Sequence, residues 1–133
     1  MNELTLEQRK RIAGALGYRV EQSKASGEMR STIWRGTDEV TADYRTEEKC
    51  WRELFSWLKF DPNLALGECV PWAQRLSKEA SIIFSQLIKK AICDDIGWLF
   101  DDPDWGHLIL FLKPEHIFSA MDSYLITLEE AKP

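Results

Sequence analysis

The fold is decided by the stretch IAGALGYRVE (residues 12–21), because the spacing of its apolar residues changes from helical to alternating. Upstream, Thr5 and Gln8 have the spacing of a capping box, which predicts the start of a helix. Gly17 suits the left-handed position that follows a helix. From Tyr18 onward apolar and charged residues alternate, as is typical of a half-buried strand. The stretch therefore predicts a helix followed directly by a β-strand.

Two more extended segments follow this strand. Residues 24–28 have the composition of a turn, and residues 29–35 form a second extended run. After another turn at residues 36–38, the chain alternates again, and the two alternating sets are Val40, Ala42 and Tyr44 against Thr41, Asp43 and Arg45. We predict a three-stranded antiparallel meander with one buried face.

Helical patterns occupy the rest of the chain. Thr46 can cap a helix whose first turn holds two acids. Its predicted sheet-covering arc comprises Cys50, Trp51, Leu54, Phe55, Trp57 and Leu58. Residues 62–66 form a short helical turn that Gly67 breaks. Pro71 then opens the strongest helix, which continues towards Ile96. Its apolar stripe comprises Trp72, Leu76, Ala80, Ile83, Phe84, Leu87 and Ile88.

The C-terminal part contains the longest apolar run and one more helix. The run LILFL (residues 108–112) predicts a buried core segment, and its periodicity leaves helix and strand open. Pro114 opens the last helix. Its apolar stripe comprises Ile117, Phe118, Met121, Tyr124, Leu125 and Leu128, while Asp122, Ser123, Glu129 and Glu130 lie outside the stripe.

These elements predict the α+β class: an N-terminal helix, a three-stranded antiparallel meander, and a mainly helical C-terminal half packed on it. The length of 133 residues is usual for one domain. We expect residues 1–133 to form a single domain, with a helix–meander–helix part at 1–60 and a helical part at 61–133.

Charge is distributed unevenly along this chain. The net charge is −5, of which residues 1–60 contribute +1 and residues 61–133 contribute −6. Such an acidic chain disfavours general binding to nucleic acid, because phosphate repels it. The odd count of three cysteines at wide spacings favours reduced, buried thiols. With no secretory signal and no apolar run that could cross a bilayer, we expect a cytoplasmic protein without a membrane partner.

The common catalytic and metal-binding patterns are absent from the sequence. The best local set of metal ligands comprises Asp101, Asp102, Asp104, His107, Glu115 and His116. A calcium loop that starts at Asp101 fails, because Pro103 and Trp105 would occupy ligand positions. We interpret these residues as solvated loop acids beside two ordinary histidines. Cys93 lacks the surroundings of a nucleophile, and no glycine motif for phosphate occurs. We therefore predict no enzyme activity and no cofactor.

The most unusual feature is an acidic–aromatic segment, residues 94–105, with five acids, three aromatic residues and no Lys or Arg. Its candidate partner-binding residues are Asp94, Asp95, Trp98, Asp101, Asp102, Asp104 and Trp105. Aromatic side chains supply contact area, and acids steer towards a basic partner. The segment can instead serve only as caps and core, and both interpretations stay open. Acids at a helix C-terminus oppose the helix dipole, so Asp94 and Asp95 need compensation.

Two alternatives remain beside protein binding. A nucleic-acid-binding face could be built from the basic residues Arg9, Lys10, Arg11, Arg30 and Arg35, although neighbouring acids dilute its charge. A small-molecule-binding or catalytic domain would have an enclosed pocket near His107 or His116.

A further indication comes from residues 12–21, Ile33-Trp34, Gly36 and TEEKCW (residues 46–51). This pattern resembles small bacterial and prophage proteins of the ABA-sandwich type. The resemblance spans residues 12–51 and does not extend to the helical half after Phe60. It implies an accessory gene product without known catalytic activity, and it assigns no functional residue. We expect a regulatory protein that binds and inhibits a host nucleic-acid-handling or defence complex, which would be an anti-defence role. The partner it binds should have a basic surface.

Overall fold

The computed structural model describes residues 4–25, 27–41, 44–59, 61–97 and 104–131. The chain divides into two compact units. The N-terminal unit is Thr5–Leu58, and the C-terminal unit is Lys59–Pro133 together with Met1–Leu4. An N-terminal helix, a three-stranded antiparallel sheet and a mostly helical C-terminal half confirm the predicted α+β class. That the two units form a single domain stays a prediction.

The N-terminal unit combines two helices with a small sheet. Its elements are α1 (Leu6–Ala15), β1 (Tyr18–Ala25), β2 (Glu28–Arg35), β3 (Asp38–Glu39) and α2 (Glu47–Leu58). The strands lie in the order β1-β2-β3, and each neighbouring pair is antiparallel.

The junction between α1 and β1 forms as the sequence predicts. The Thr5 hydroxyl accepts a hydrogen bond from the Gln8 N–H at 3.1 Å, while the Thr5 N–H donates to Gln8 Oε1 at 2.8 Å. Gly17 has a φ of +95°, a left-handed conformation that side chains with a Cβ rarely adopt. Tyr18 then begins β1, so the chain passes from helix to strand in two residues.

The third strand is shorter than predicted. β3 ends at Glu39, and beyond it Thr41 is buried while Val40 is half-buried. The Thr41 hydroxyl accepts a hydrogen bond from the Ile33 N–H at 3.2 Å, and the Val40 N–H donates to the Ile33 carbonyl. A side chain thus replaces one backbone bond of the sheet, and backbone pairing with β2 resumes in an isolated bridge between Ser31 and Tyr44. Residues 42 and 43 lie outside the described residues.

Helix α2 covers the sheet with most of its predicted arc. Cys50, Trp51, Leu54, Phe55 and Leu58 are buried, and the Cys50 thiol donates to the Ser31 carbonyl at 2.7 Å. Trp57 was wrongly included, because it is 52% exposed. It lies at the edge of the arc, in the last turn of α2.

All secondary-structure elements among the described residues of the C-terminal unit are helices. Its α-helices are α3 (Pro62–Leu76), α4 (Lys78–Ile96), α5 (Trp105–Leu108) and α6 (Pro114–Glu130), and a 3-10 helix at Ile109–Phe111 follows α5. Helices α3, α4 and α6 pack against one another. The core they share includes edge-to-face contacts of the Trp72 ring with Phe84 and Tyr124, at centroid distances of 5.9 and 6.0 Å.

The predicted break between the first two of these helices was misplaced. Gly67 and Pro71 both lie inside α3, and the chain turns at Ser77 instead. Proline at position 71 removes the N–H that would bond to the carbonyl of Gly67, but both residues are exposed, so water can supply that bond. Ser77 is extended and accepts from the Ala80 N–H at 2.9 Å, which caps α4. Leu76, placed in the predicted stripe, is 48% exposed at this turn.

Helix α6 buries a set of residues that differs from its predicted stripe, since Leu125 and Leu128 are only half-buried. Ile117, Phe118, Met121 and Tyr124 are buried as expected. Asp122, predicted to lie outside the stripe, is also buried, with 3% exposure. Because α6 packs against both α3 and α4, its buried arc is wider than the apolar stripe.

The run at residues 108–112 differs most from its prediction. Residues 108–111 are helical and Leu112 is extended, so the run is not a strand, and only Leu108 is buried. The prediction of a buried core segment was wrong for the next three residues, because Ile109, Leu110 and Phe111 are 60%, 77% and 45% exposed. Leu108 occupies the core, and the tight 3-10 helix turns the following side chains away from it.

The cysteines carry no disulfide. Cys50 and Cys69 are buried and Cys93 is half-buried. Burial, with a smaller contribution from the charge of Glu68, raises the pKa of the Cys69 thiol to about 12. Among the described residues, no helix combines the length and the hydropathy that crossing a membrane requires.

Candidate functional site

The two ends of the acidic–aromatic segment lie on described elements. Asp94 and Asp95 belong to the last turn of α4, where Asp94 is exposed and Asp95 is half-buried. Asp104 and Trp105 stand at the start of α5. Trp98, Asp101 and Asp102 lie outside the described residues. The candidate surface is therefore built from the C-terminal end of α4 and the short helices that follow residue 103.

Asp95 has a specific partner on α6. Its Oδ2 lies 2.8 Å from Nε2 of His116, a side chain that is fully buried. Nδ1 of His116 accepts a hydrogen bond from the Lys113 N–H at 3.0 Å. Since Nδ1 is an acceptor, Nε2 carries the proton and donates it to Asp95. The bond compensates an acid at the C-terminal end of a helix and lowers the pKa of the Asp95 carboxyl.

This geometry gives His116 a structural role. Both ring nitrogens are engaged, one by a backbone N–H and one by a carboxylate, so neither nitrogen is open to a substrate proton. The ring ties the start of α6 to the end of α4. The sequence-based interpretation of His116 as an ordinary histidine missed this pairing. One signal was present, because Pro114 at the first helical position places His116 where its side chain can accept a hydrogen bond from the N-cap N–H.

Asp104 is a solvated acid with a capping role. Its Oδ1 accepts from the Gly106 N–H at 3.2 Å, while 76% of its side chain remains exposed. The ring of the adjacent Trp105 is half-buried, and Lys89 of α4 stands 5.8 Å from the ring centroid. At the described positions, the segment therefore combines caps with surface charge.

Three consecutive apolar side chains extend this acidic surface. We call Ile109, Leu110 and Phe111 the apolar triplet. Single apolar residues are common on protein surfaces, but three large ones exposed at consecutive positions offer apolar area of the kind that partners cover. The four residues of α5 rise about 6 Å, so the Asp104 charge acts within about one Debye length of Ile109, the first residue of the triplet. Sequence reasoning missed this patch because the run has the composition of a core segment.

The two histidines considered as metal ligands lie in different surroundings. His107 is 70% exposed, and its Nδ1 lies 4.0 Å from Oδ2 of Asp104. Within the described ranges, no group of three or more His, Cys, Asp and Glu side chains could hold a metal ion. His107 and His116 therefore belong to different environments, one solvated and one buried.

The basic residues proposed for nucleic-acid contact are largely engaged with other groups. The Lys10 ammonium lies 3.0 Å from Glu47, an interaction that raises the pKa of Lys10 and lowers that of Glu47. Arg30 pairs with Glu28 at 3.1 Å. Arg35 stands 4.8 Å from the centroid of the Tyr18 ring.

The remaining two basic residues differ in exposure. Arg9 is 4% exposed and Arg11 is exposed. A phosphate would have to compete with the carboxylates that already hold Lys10 and Arg30, which reduces the counterion release that drives nucleic-acid binding.

Comparison of the chain with protein-family models, with curated proteins and with solved structures gives no match.

Proposed function

We propose that this chain is a non-enzymatic binding protein that engages another protein through the apolar triplet and the acids beside it. The observation that carries the proposal is the exposure of Ile109, Leu110 and Phe111 in consecutive positions next to the solvated Asp104. These three side chains keep between 45% and 77% of their surface in water, which is unfavourable in proportion to that apolar area. An interface would recover that free energy.

The charge around the triplet favours a partner with a basic surface. Residues 61–133 carry a net charge of −6, and Asp94 and Asp104 are exposed there. Acids at the rim of an apolar patch accelerate encounter with a basic partner and disfavour acidic ones. The same charges disfavour phosphate backbones.

The engagement of His116 supports a role without catalysis. A general base needs a free lone pair within reach of a substrate, and the lone pair of Nδ1 is occupied by the Lys113 N–H. Three cysteines without a disulfide suit the reducing cytoplasm, which we propose as the location. The resemblance of residues 12–51 to prophage proteins suggests the partner class, a host nucleic-acid-handling or defence complex that the chain inhibits.

A capture experiment with matched variants tests this proposal. Immobilised full-length chain is incubated with extract of its source cells, and bound proteins are identified at low and high salt. We expect the wild type to capture a defined protein, and Leu110→Ser to capture at least about tenfold less of it. Asp104→Asn should still capture it, with a weaker dependence on salt. Ile82→Ser on α4 is the control, because Ile82 is also exposed, at 51%, but lies outside the patch.

Two results would contradict the proposal. The first is the same set of captured proteins for the wild type and Leu110→Ser. The second is capture that nuclease treatment abolishes, since this would assign the binding to nucleic acid instead.

A further inference from the structure

A groove in the N-terminal unit is independent of the surface described above. It lies where the chain leaves β3 and passes beside the last turns of α2, and it encloses about 290 Å³. Its walls are formed by Val40, Thr41, Glu53, Leu54 and Trp57. This volume is at the lower limit of small-molecule pockets and suits one side chain or a fragment of similar size.

The two tryptophans of α2 have opposite environments. Trp51 is 3% exposed, and its indole N–H donates to Glu47 at 3.1 Å. Trp57 is 52% exposed and lines the groove. An indole ring is among the largest apolar surfaces a residue can offer, and it is a preferred anchor in binding sites. Trp57 is therefore the feature of the groove that a ligand would cover.

Glu53 supplies the charge beside this ring. It precedes Trp57 by four residues on α2, which places the two side chains on the same face of the helix, with Cβ atoms about 5–6 Å apart. The Glu53 carboxylate has no ion-pair or hydrogen-bond partner in the described part of the chain. A cation placed between them would be attracted both by the carboxylate and by the open face of the aromatic ring.

Other aromatic rings of the chain already have a cation of their own. Arg19 stands 5.8 Å from the Trp34 ring, Arg35 covers Tyr18 and Lys89 stands over Trp105. No such cation approaches Trp57 from the residues that the structure describes. The groove therefore has the acid and the ring of a cation site, and the cation has to come from outside.

The floor of the groove cannot supply the polar recognition. The Thr41 hydroxyl is buried, accepts from the Ile33 N–H and lies 3.6 Å from the Cys50 thiol. Val40 and Leu54 offer only apolar contact. Recognition of a charged group therefore depends on Glu53 and Trp57.

We propose that this groove binds an arginine side chain of a partner polypeptide. The planar guanidinium group can stack on the Trp57 ring while its N–H groups donate to the Glu53 carboxylate, and the methylene stem can lie against Val40 and Leu54. The site uses residues of the N-terminal unit only. It stands whether or not the apolar triplet binds a protein.

Titration with a minimal ligand tests the groove. N-acetyl-arginine amide is added to nitrogen-labelled full-length chain, and the indole N–H signals of the six tryptophans are followed by NMR, with Trp57→Phe assigning the signal of Trp57. We expect that signal to shift in a saturable manner, with a dissociation constant on the order of millimolar. N-acetyl-citrulline amide has the same shape without the charge, and it should bind at least about fivefold more weakly.

Matched variants decide whether the groove is responsible. Glu53→Gln should weaken binding of N-acetyl-arginine amide by about three- to tenfold, and Trp57→Ala should abolish it, as measured by the chemical shifts of the groove backbone. Both side chains are exposed, so both variants should fold. Glu39→Gln is the control, because it removes the same charge from another pocket of this unit.

The proposal is overturned by any of three outcomes. These are equal shifts with the arginine and citrulline ligands, unchanged affinity in Glu53→Gln, or loss of binding in Glu39→Gln instead. Leu110→Ser should leave the titration unchanged, so failure of this site and failure of the proposed function are observed separately.

Discussion

Helix α6 and the short helical segment before it use similar apolar residues in opposite ways. In α6, Ile117 and Phe118 are completely buried against neighbouring helices. A few residues earlier, Ile109 and Leu110 are 60% and 77% exposed. The comparison teaches that composition alone does not assign an apolar run to the core. The side chains of α6 stabilise the fold, whereas those of the apolar triplet remain for another surface.

The largest loss of stability should come from Phe118→Ala in α6. Phe118 is fully buried, so the substitution removes its apolar contacts and leaves a cavity. We expect the free energy of unfolding to fall by about 3–5 kcal/mol, measured by urea denaturation monitored by circular dichroism. A loss below about 1 kcal/mol, the range of a surface substitution, would show that α6 is not packed as described.

His116→Ala should have the next largest effect. It removes a buried ring together with the hydrogen bonds to the Lys113 N–H and Asp95. We expect a loss of about 2–4 kcal/mol, from the cavity and from the loss of both hydrogen bonds. Asp95→Asn keeps an acceptor oxygen for the His116 N–H and should lose less. If Asp95→Asn costs as much as His116→Ala, His116 is not the neutral donor that the geometry indicates.

The Asp95–His116 bond should also make stability depend on acid pH. The pKa of Asp95 is lower in the folded chain, so its contribution is fully present above the unfolded value of about 3.9 and is lost as pH falls through the folded value. We expect the urea midpoint of the wild type to fall more steeply below pH 4 than that of Asp95→Asn. Asp94→Asn, at the exposed neighbouring acid, should keep the wild-type slope, and identical slopes in all three proteins would contradict the assignment.

The smallest effect on stability should come from Leu110→Ser. Because Leu110 is 77% exposed, the substitution removes little buried area, and we expect a change within about 0.5 kcal/mol. Size-exclusion chromatography should show the same elution volume for both proteins. A loss as large as that of Phe118→Ala would mean that Leu110 belongs to the core and would remove the contrast between the two segments.

The sequence predicts elements best where local chemistry determines them. The capping box of Thr5 and Gln8 and the left-handed Gly17 act within a few residues, and α1 begins and ends as they indicate. The break between α3 and α4 was misplaced because local rules penalise Gly67 and Pro71. Solvent exposure of both residues makes that penalty tolerable, and exposure depends on the tertiary fold.

The candidate site was predicted in part. The acidic character at Asp94 and Asp104 could be found from the sequence because charge is a property of composition. The pairing of Asp95 with His116 joins residues 21 positions apart, and the exposure of Trp57 depends on where the sheet ends. Neither follows from periodicity, which describes one helix at a time.

The raised pKa of Cys69 has a consequence for following the unfolding of this chain. Burial and the raised pKa both keep the Cys69 thiol protonated and out of reach of alkylating reagents while the surrounding helices are closed. Opening of the unit restores an ordinary, reactive thiol. The rate at which Cys69 is alkylated therefore reports how often the surrounding helices open.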